Sequence, residues 1–102
     1  MTDVAGELRV VDSPGKHRYE AILDDQVVGV SVYELLDDRI VFLHTEVDSG
    51  LEGLGVGSRL AKGALDDVRR RGLKVVARCP FIAAWLKRHP DYADLVADQG
   101  ET

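Results

Sequence analysis

Glu52-Gly53-Leu54-Gly55-Val56-Gly57-Ser58 sets three glycines at alternate positions, after a β-type run and before a helix-type run. Glycine lets the backbone bend tightly and approach a ligand with no Cβ in the way. At a helix start, such a loop aims free N–H donors and the positive end of the helix dipole at one point. That chemistry suits a phosphate or a diphosphate. Two further places carry reactive groups. Cys79 ends a β-type run immediately before Pro80. With Pro80 as the first helical residue, Cys79 is the N-cap, where the dipole favours a thiolate able to act as nucleophile or, protonated, as acid. A lone cysteine is also among the most buried residue types, so packing is its competing role. His44 can serve as a general base for an amine or for Cys79, since an imidazole exchanges its proton near neutral pH. Strict alternation sets His44 with Phe42 and Glu46 on one strand face, opposite Leu43, Thr45 and Val47. Glu46 is a second base candidate, its competing role being an ordinary exposed carboxylate at a strand end.

Four β-type runs lead up to these groups. They are Leu8-Arg9-Val10-Val11, the stretch from His17 to Leu23, the stretch from Val27 to Tyr33, and the stretch from Ile40 to Val47. Turn formers separate them: Asp12 to Lys16, then Asp24-Asp25-Gln26, then Asp37-Asp38. Such short connections predict an antiparallel meander. After the glycine loop, Val56, Leu60, Ala64 and Val68 recur at helical spacing, with Ala61 and Leu65 beside them, and Gly72 reads as the stop. Arg69-Arg70-Arg71 reads as a solvated helix end near the negative end of the dipole. Leu73 to Arg78 reads as a fifth strand, parallel to the fourth because a helix separates them. Pro80 opens a second helix that Pro90 closes, with Phe81 and Trp85 spaced to face the core. His89 reads as a capping or packing residue, and His17 as surface. Tyr92, Leu95 and Val96 suggest a last turn. The tail from Asp98 to Thr102 is expected to fray.

The 102 residues predict a single domain spanning 1–102. With 45% hydrophobic and 30% charged residues the composition is that of a globular protein. A net charge of −5 argues against bulk attraction to nucleic acid or anionic lipid. No apolar run approaches the ~20 residues of a membrane span. The first seven residues lack the basic flank and apolar stretch of a signal peptide. One cysteine excludes an internal disulfide and suits a reducing cytoplasm. No histidine–cysteine spacing suggests zinc, and the oligomeric state is open.

The loop fits two well-known phosphate binders poorly. A P-loop ends in Gly-Lys-Ser/Thr, whereas this loop ends Gly57-Ser58-Arg59 and lacks the cation. A dinucleotide loop read from Gly53 needs glycine where Ser58 stands. It also needs an acid at the end of the next strand, which here ends Ala77-Arg78. The stretch Gly53-Leu54-Gly55-Val56-Gly57 instead resembles the cofactor loop of the GNAT superfamily of acyl-CoA-dependent N-acetyltransferases, usually Gln/Arg-x-x-Gly-x-Gly/Ala. Glu52 stands where Gln or Arg is common. His44-Thr45-Glu46-Val47, Cys79-Pro80-Phe81 and Arg88-His89-Pro90-Asp91-Tyr92 occur with it at intervals that look like the small YjdJ-type branch. The resemblance covers roughly residues 7 to 97.

The resemblance implies an α+β fold with a GNAT-like mixed sheet: an N-terminal antiparallel meander, a parallel pair at the cofactor site, and flanking helices. It implies acetyl-CoA or coenzyme A as cofactor, its diphosphate on the backbone of Gly53, Leu54, Gly55, Val56, Gly57 and Ser58. The pantetheine arm would pair with backbone near Glu46 and Val47, with the thioester between the fourth and fifth strands. Arg59, Lys62, Lys87 and Arg88 are candidates for the 3′-phosphate. Catalysis would fall to His44, Glu46 and Cys79. In direct transfer His44 or Glu46 takes the proton of an amine, and Cys79 lines the site or protonates the departing thiolate. In a covalent version His44 activates Cys79, which carries the acetyl group. The acceptor would be an amine of a small molecule or protein. Larger members carry helices between the first two strands that grip the acceptor, and here only Asp12 to Lys16 fill that interval. A non-catalytic CoA-binding module is the alternative.

Overall fold

A computed structural model describes residues 8–97, so the expectations for the first seven residues and for the 98–102 tail lie outside the described residues. Five strands form one sheet in chain order: β1 (Arg9–Ser13), β2 (Arg18–Leu23), β3 (Gln26–Leu35), β4 (Arg39–Val47) and β5 (Lys74–Ala77). The first three pairings are antiparallel and β4 pairs with β5 in parallel. Helix α1 (Val56–Arg71) makes the crossover and α2 (Pro80–Arg88) follows β5. Short 3-10 helices occupy Pro14–Lys16, Ser49–Leu54 and Pro90–Leu95. This is the expected α+β mixed sheet.

Local chemistry accounts for the joints. Asp24 and Asp25 both adopt positive φ and form a two-residue hairpin turn, the conformation that matches strand twist. Gly72, at φ 73°, closes α1: its N–H donates to Arg69 O at 3.1 Å, and the Leu73 N–H donates to Val68 O at 3.2 Å. His17 is not the first residue of β2. At φ 57° it ends the 3-10 turn, its N–H donating to Pro14 O at 3.1 Å. β1 correspondingly runs on to Ser13, which pairs with Arg18.

The core lies on one side of the sheet. Leu60, Ala61, Ala64, Leu65 and Val68 of α1 are fully buried against Tyr19, Ala21, Ile40, Phe42 and Val75. Trp85 of α2 joins the same core, and its indole N–H donates to Ser58 Oγ at 3.0 Å, tying α2 to the first turn of α1. Two glycines permit this packing. A Cβ on Gly29 would stand 3.3 Å from the Glu46 carbonyl oxygen on β4, and one on Gly63 would stand 2.7 Å from Val10 of β1. The opposite face carries Arg18, Glu20, Val30, Val32, His44 and Glu46, and among the described residues no helix covers it.

The arginines after α1's last apolar turn are not simply solvated. Arg71 donates to Asp12, Tyr19 and Asp67, gathering β1, β2 and α1 around one guanidinium. Arg69 grips Asp94 with both terminal nitrogens, at 2.7 and 3.1 Å. Arg70 pairs with Asp67. Among the described residues no helix is long and apolar enough to cross a membrane.

Candidate active site

β4 and β5 part company at the site. Their register ends at Phe42 and Ala77, and the Arg78 N–H makes a last bond to Phe42 O at 3.0 Å. Cys79 then turns the chain into α2, while β4 continues from Leu43 to Val47 with no strand on that edge among the described residues. The strands enclose a wedge. Thr45, Val47, Gly57 and Phe81 line a cleft of about 310 Å³ there.

A bulge decides what faces the wedge. Val32 pairs with His44 but Tyr33 pairs with Phe42, so Leu43 is an extra residue in β4. The extra residue reverses the alternation that placed His44 and Glu46 with Phe42. Phe42 is fully buried, whereas His44 and Glu46 stand exposed on the uncovered face. Thr45 and Val47, assigned by alternation to the far side, point to the helices and line the cleft.

The glycine loop abuts the wedge. Gly55, at φ 79°, is the N-cap of α1, a backbone conformation side chains rarely adopt. The first bond within the helix runs from the Arg59 N–H to Gly55 O at 3.0 Å. The N–H groups of Val56, Gly57 and Ser58 precede that bond, so no carbonyl of the helix itself accepts them. A Cβ on Gly53 or Gly55 would meet nothing within 4 Å, so the backbone borders open space. Val56 turns its side chain into the core and Leu54 leaves half of its own exposed. Only the main chain of Val56 can thus serve a ligand. Ser58 Oγ accepts the indole proton of Trp85, which leaves the serine hydroxyl hydrogen as a donor.

Phe81 departs from the core role expected of it. It lies in the first turn of α2 with its ring over Gly57, where a Cβ would be 2.9 Å from the ring edge. It remains 36% exposed and walls the cleft. Trp85 is buried as expected. His89 stacks on it at 3.7 Å between centroids and bonds through Nδ1 to Trp85 O, which is a packing role.

The three candidate catalytic side chains fall into two groups. His44 Nε2 is 2.8 Å from Glu46 Oε2, and both side chains are more than half exposed. Cys79 is the N-cap of α2 with Pro80 at the first helical position, and it is 1% exposed. Its sulfur lies 3.2 Å from Thr45 Oγ1, not against His44. β4 separates the two groups, His44 and Glu46 on one face and Thr45 with Cys79 on the other. Among the cationic candidates, Lys62 is paired to Asp66 at 2.9 Å. It lines, with Arg59, a separate cavity of about 320 Å³ beside β1. Lys87 sits instead by an apolar groove along β5.

A splayed parallel pair with a glycine-rich helix start at its mouth defines a GNAT-like acetyltransferase fold. The family of GCN5-related N-acetyl-transferases matches residues 18–95, and the chain belongs to that family. The NMR solution structure of a GCN5-like protein from Staphylococcus aureus is similar to it, with a TM-score of 0.67. Sequence identity is 25%, over 89% of each chain. No curated protein matches the chain significantly.

Proposed function

We propose that the protein is an acetyl-CoA-dependent N-acetyltransferase of the small YjdJ-type branch, acting in the cytoplasm on an amine of a small molecule or protein. The observation that carries the reading is the wedge itself. Its cleft is lined by Thr45 and Val47 of β4, by Gly57 of the first turn of α1 and by Phe81, and Cys79, buried at the N-terminus of α2, adjoins it through Thr45. The open space before Gly53 and Gly55 fits a ligand that needs backbone approach. The N–H groups of Val56, Gly57 and Ser58, with the Ser58 hydroxyl, would hold the diphosphate. The free edge of β4 near Glu46 and Val47 would pair with the amides of the pantetheine arm.

Acetyl-CoA supplies an acetyl group activated as a thioester. The side chains on either face of β4 divide the remaining work. Glu46 accepts the proton on His44 Nε2, which fixes the tautomer and leaves Nδ1 as the basic nitrogen. His44 would hold the proton that the attacking amine gives up, and Cys79 would return one to the departing sulfur. The amine would arrive over the uncovered sheet face, where no described helix restricts its size. Direct transfer is favoured over a relay through Cys79 because β4 lies between His44 and the thiol.

Measuring CoA release from acetyl-CoA with pooled amines and protein lysates tests the reading, using wild type, His44→Ala and Cys79→Ala. Turnover lost in a variant that still binds CoA supports the transferase. Tight binding with no release in any pool supports a CoA-binding module instead.

A further inference from the structure

A chain of two hydroxyls leads from the middle of the sheet to the cysteine. Ser31 on β3 is fully buried and stands opposite Thr45 on β4. Their oxygens are 2.9 Å apart, and Thr45 Oγ1 continues to Cys79 Sγ at 3.2 Å. The direction of the chain follows from counting protons. Ser31 has one hydroxyl proton, and among the described residues its side-chain partner is Thr45. A buried hydroxyl denied an acceptor is costly, so Ser31 donates and Thr45 accepts. The remaining proton of Thr45 then has the sulfur of Cys79 as its acceptor.

We propose that Thr45 is a positioning residue that donates its hydroxyl proton to Cys79 Sγ, leaving the S–H of Cys79 unengaged by the sheet and available to the wedge. The proposal rests on the transferase reading above. In the step it serves, the amine nitrogen bonds to the acyl carbon and the carbon–sulfur bond of the thioester breaks, its electron pair staying on sulfur. The Cys79 proton moves to that sulfur, and the proton lost by the amine goes to His44. The thiolate left on Cys79 keeps the Thr45 hydroxyl and the N-terminus of α2 until solvent reprotonates it. Thr45 lacks charge and, although it also lines the cleft, serves the proton transfer through Cys79, so it carries no signature of its own in β4.

The test is steady-state kinetics on Thr45→Val, Thr45→Ser and the pair Ser31→Ala/Thr45→Val, each also built on Cys79→Ala. The pair removes the serine hydroxyl that Thr45→Val alone strands. Thr45→Val and the pair are expected to lower kcat about tenfold, the factor equivalent to one hydrogen bond of about 1.4 kcal/mol. The KM for acetyl-CoA should hold within about twofold, and Thr45→Ser should restore the rate. On the Cys79→Ala background Thr45→Val should do no further harm. An equal loss on that background, a loss confined to KM, or no rescue by serine would overturn the proposal. The S–H infrared band of the sole cysteine reads the same bond without turnover. An unshifted band in Thr45→Val supports donation by Thr45, and a shift to higher frequency overturns it. Should wild type release no CoA with any amine, the transferase reading fails and the infrared band alone decides the direction of the bond.

Discussion

Gly57→Ala separates the fold of this protein from its cleft. A Cβ at position 57 would lie 2.9 Å from Phe81 Cζ and 3.4 Å from Cε1. Carbon atoms settle at about 3.5–4.0 Å, so the ring must retreat by about 0.6–1.1 Å. It is the far end of a flexible side chain, and the space beside it is the cleft of about 310 Å³. Tilting the ring off its rotamer costs of order 0.5–1.5 kcal/mol, while replacing glycine within a helix returns roughly 0.5–1 kcal/mol. The two nearly cancel, so Tm should move by no more than about 5 °C. Affinity for CoA should not be spared, because the displaced ring would enter the volume that the proposal gives to the pantetheine arm. The expected loss is at least about tenfold in Kd, or ~1.4 kcal/mol, by titration calorimetry. Adding Phe81→Ala should recover most of it. Wild-type affinity in Gly57→Ala would refute the placement of the ligand between Gly57 and Phe81. A fall in Tm far beyond that range would refute the mobility assigned to the ring.

Other perturbations probe the scaffold. Gly63→Ala drives a Cβ to within 2.7–2.9 Å of Val10, which β1 cannot easily yield. Such overpacking costs about 1–3 kcal/mol. Tm should fall, and the amides of β1 should lose hydrogen-exchange protection first. Arg71→Met strips the shared donor from Asp12, Tyr19 and Asp67, a loss of roughly 1–2 kcal/mol given partial exposure, read from urea unfolding. At alkaline pH the tyrosines report on the same region. Burial, then the bond to Asp12, pushes the Tyr33 hydroxyl up to about 12. Burial and Asp67 raise Tyr19 further, and the bond to Asp66, then burial, raises Tyr92. An unfolded tyrosine ionises near ~10. The contribution of these groups to stability is therefore complete below about pH 10 and lost as pH rises through about 12. Tyrosinate absorbance should rise together with unfolding, and a native ionisation near pH 10 would contradict this.

The meander, the crossover helix and the glycine loop were legible because each is written in local terms. The turns are runs of Asp, Pro and Gly, and the α1 stripe repeats at helical spacing. The faces of β4 were not legible. The run from Ile40 to Val47 shows no sign of its bulge, which exists only in the pairing with β3. One extra residue at Leu43 exchanged the places of His44 and Thr45, and Thr45 was missed as a site residue. The signal that could have found it is Ser31, a small polar residue inside the apolar stretch from Val27 to Tyr33. A buried hydroxyl in such a stretch needs a partner on the next strand. Phe81 was read as core because a phenyl ring in an amphipathic helix usually is. Its place in the first turn of α2, against a glycine, keeps it at the cleft wall. The role of Arg71 depends on Asp12, 59 residues away in sequence, and no local pattern announces such a contact.

The central claim is that the main chain at the start of α1 holds the diphosphate of coenzyme A. Titrating ¹⁵N-labelled protein with CoA and following backbone amides by NMR tests it most directly. The amides of Gly53 to Ser58 should shift most, with Leu43 to Val47 following along β4 and the sole indole N–H of Trp85 reporting through Ser58. Unmoved amides at Val56, Gly57 and Ser58 under saturating CoA, or the largest shifts elsewhere in the chain, would contradict the account.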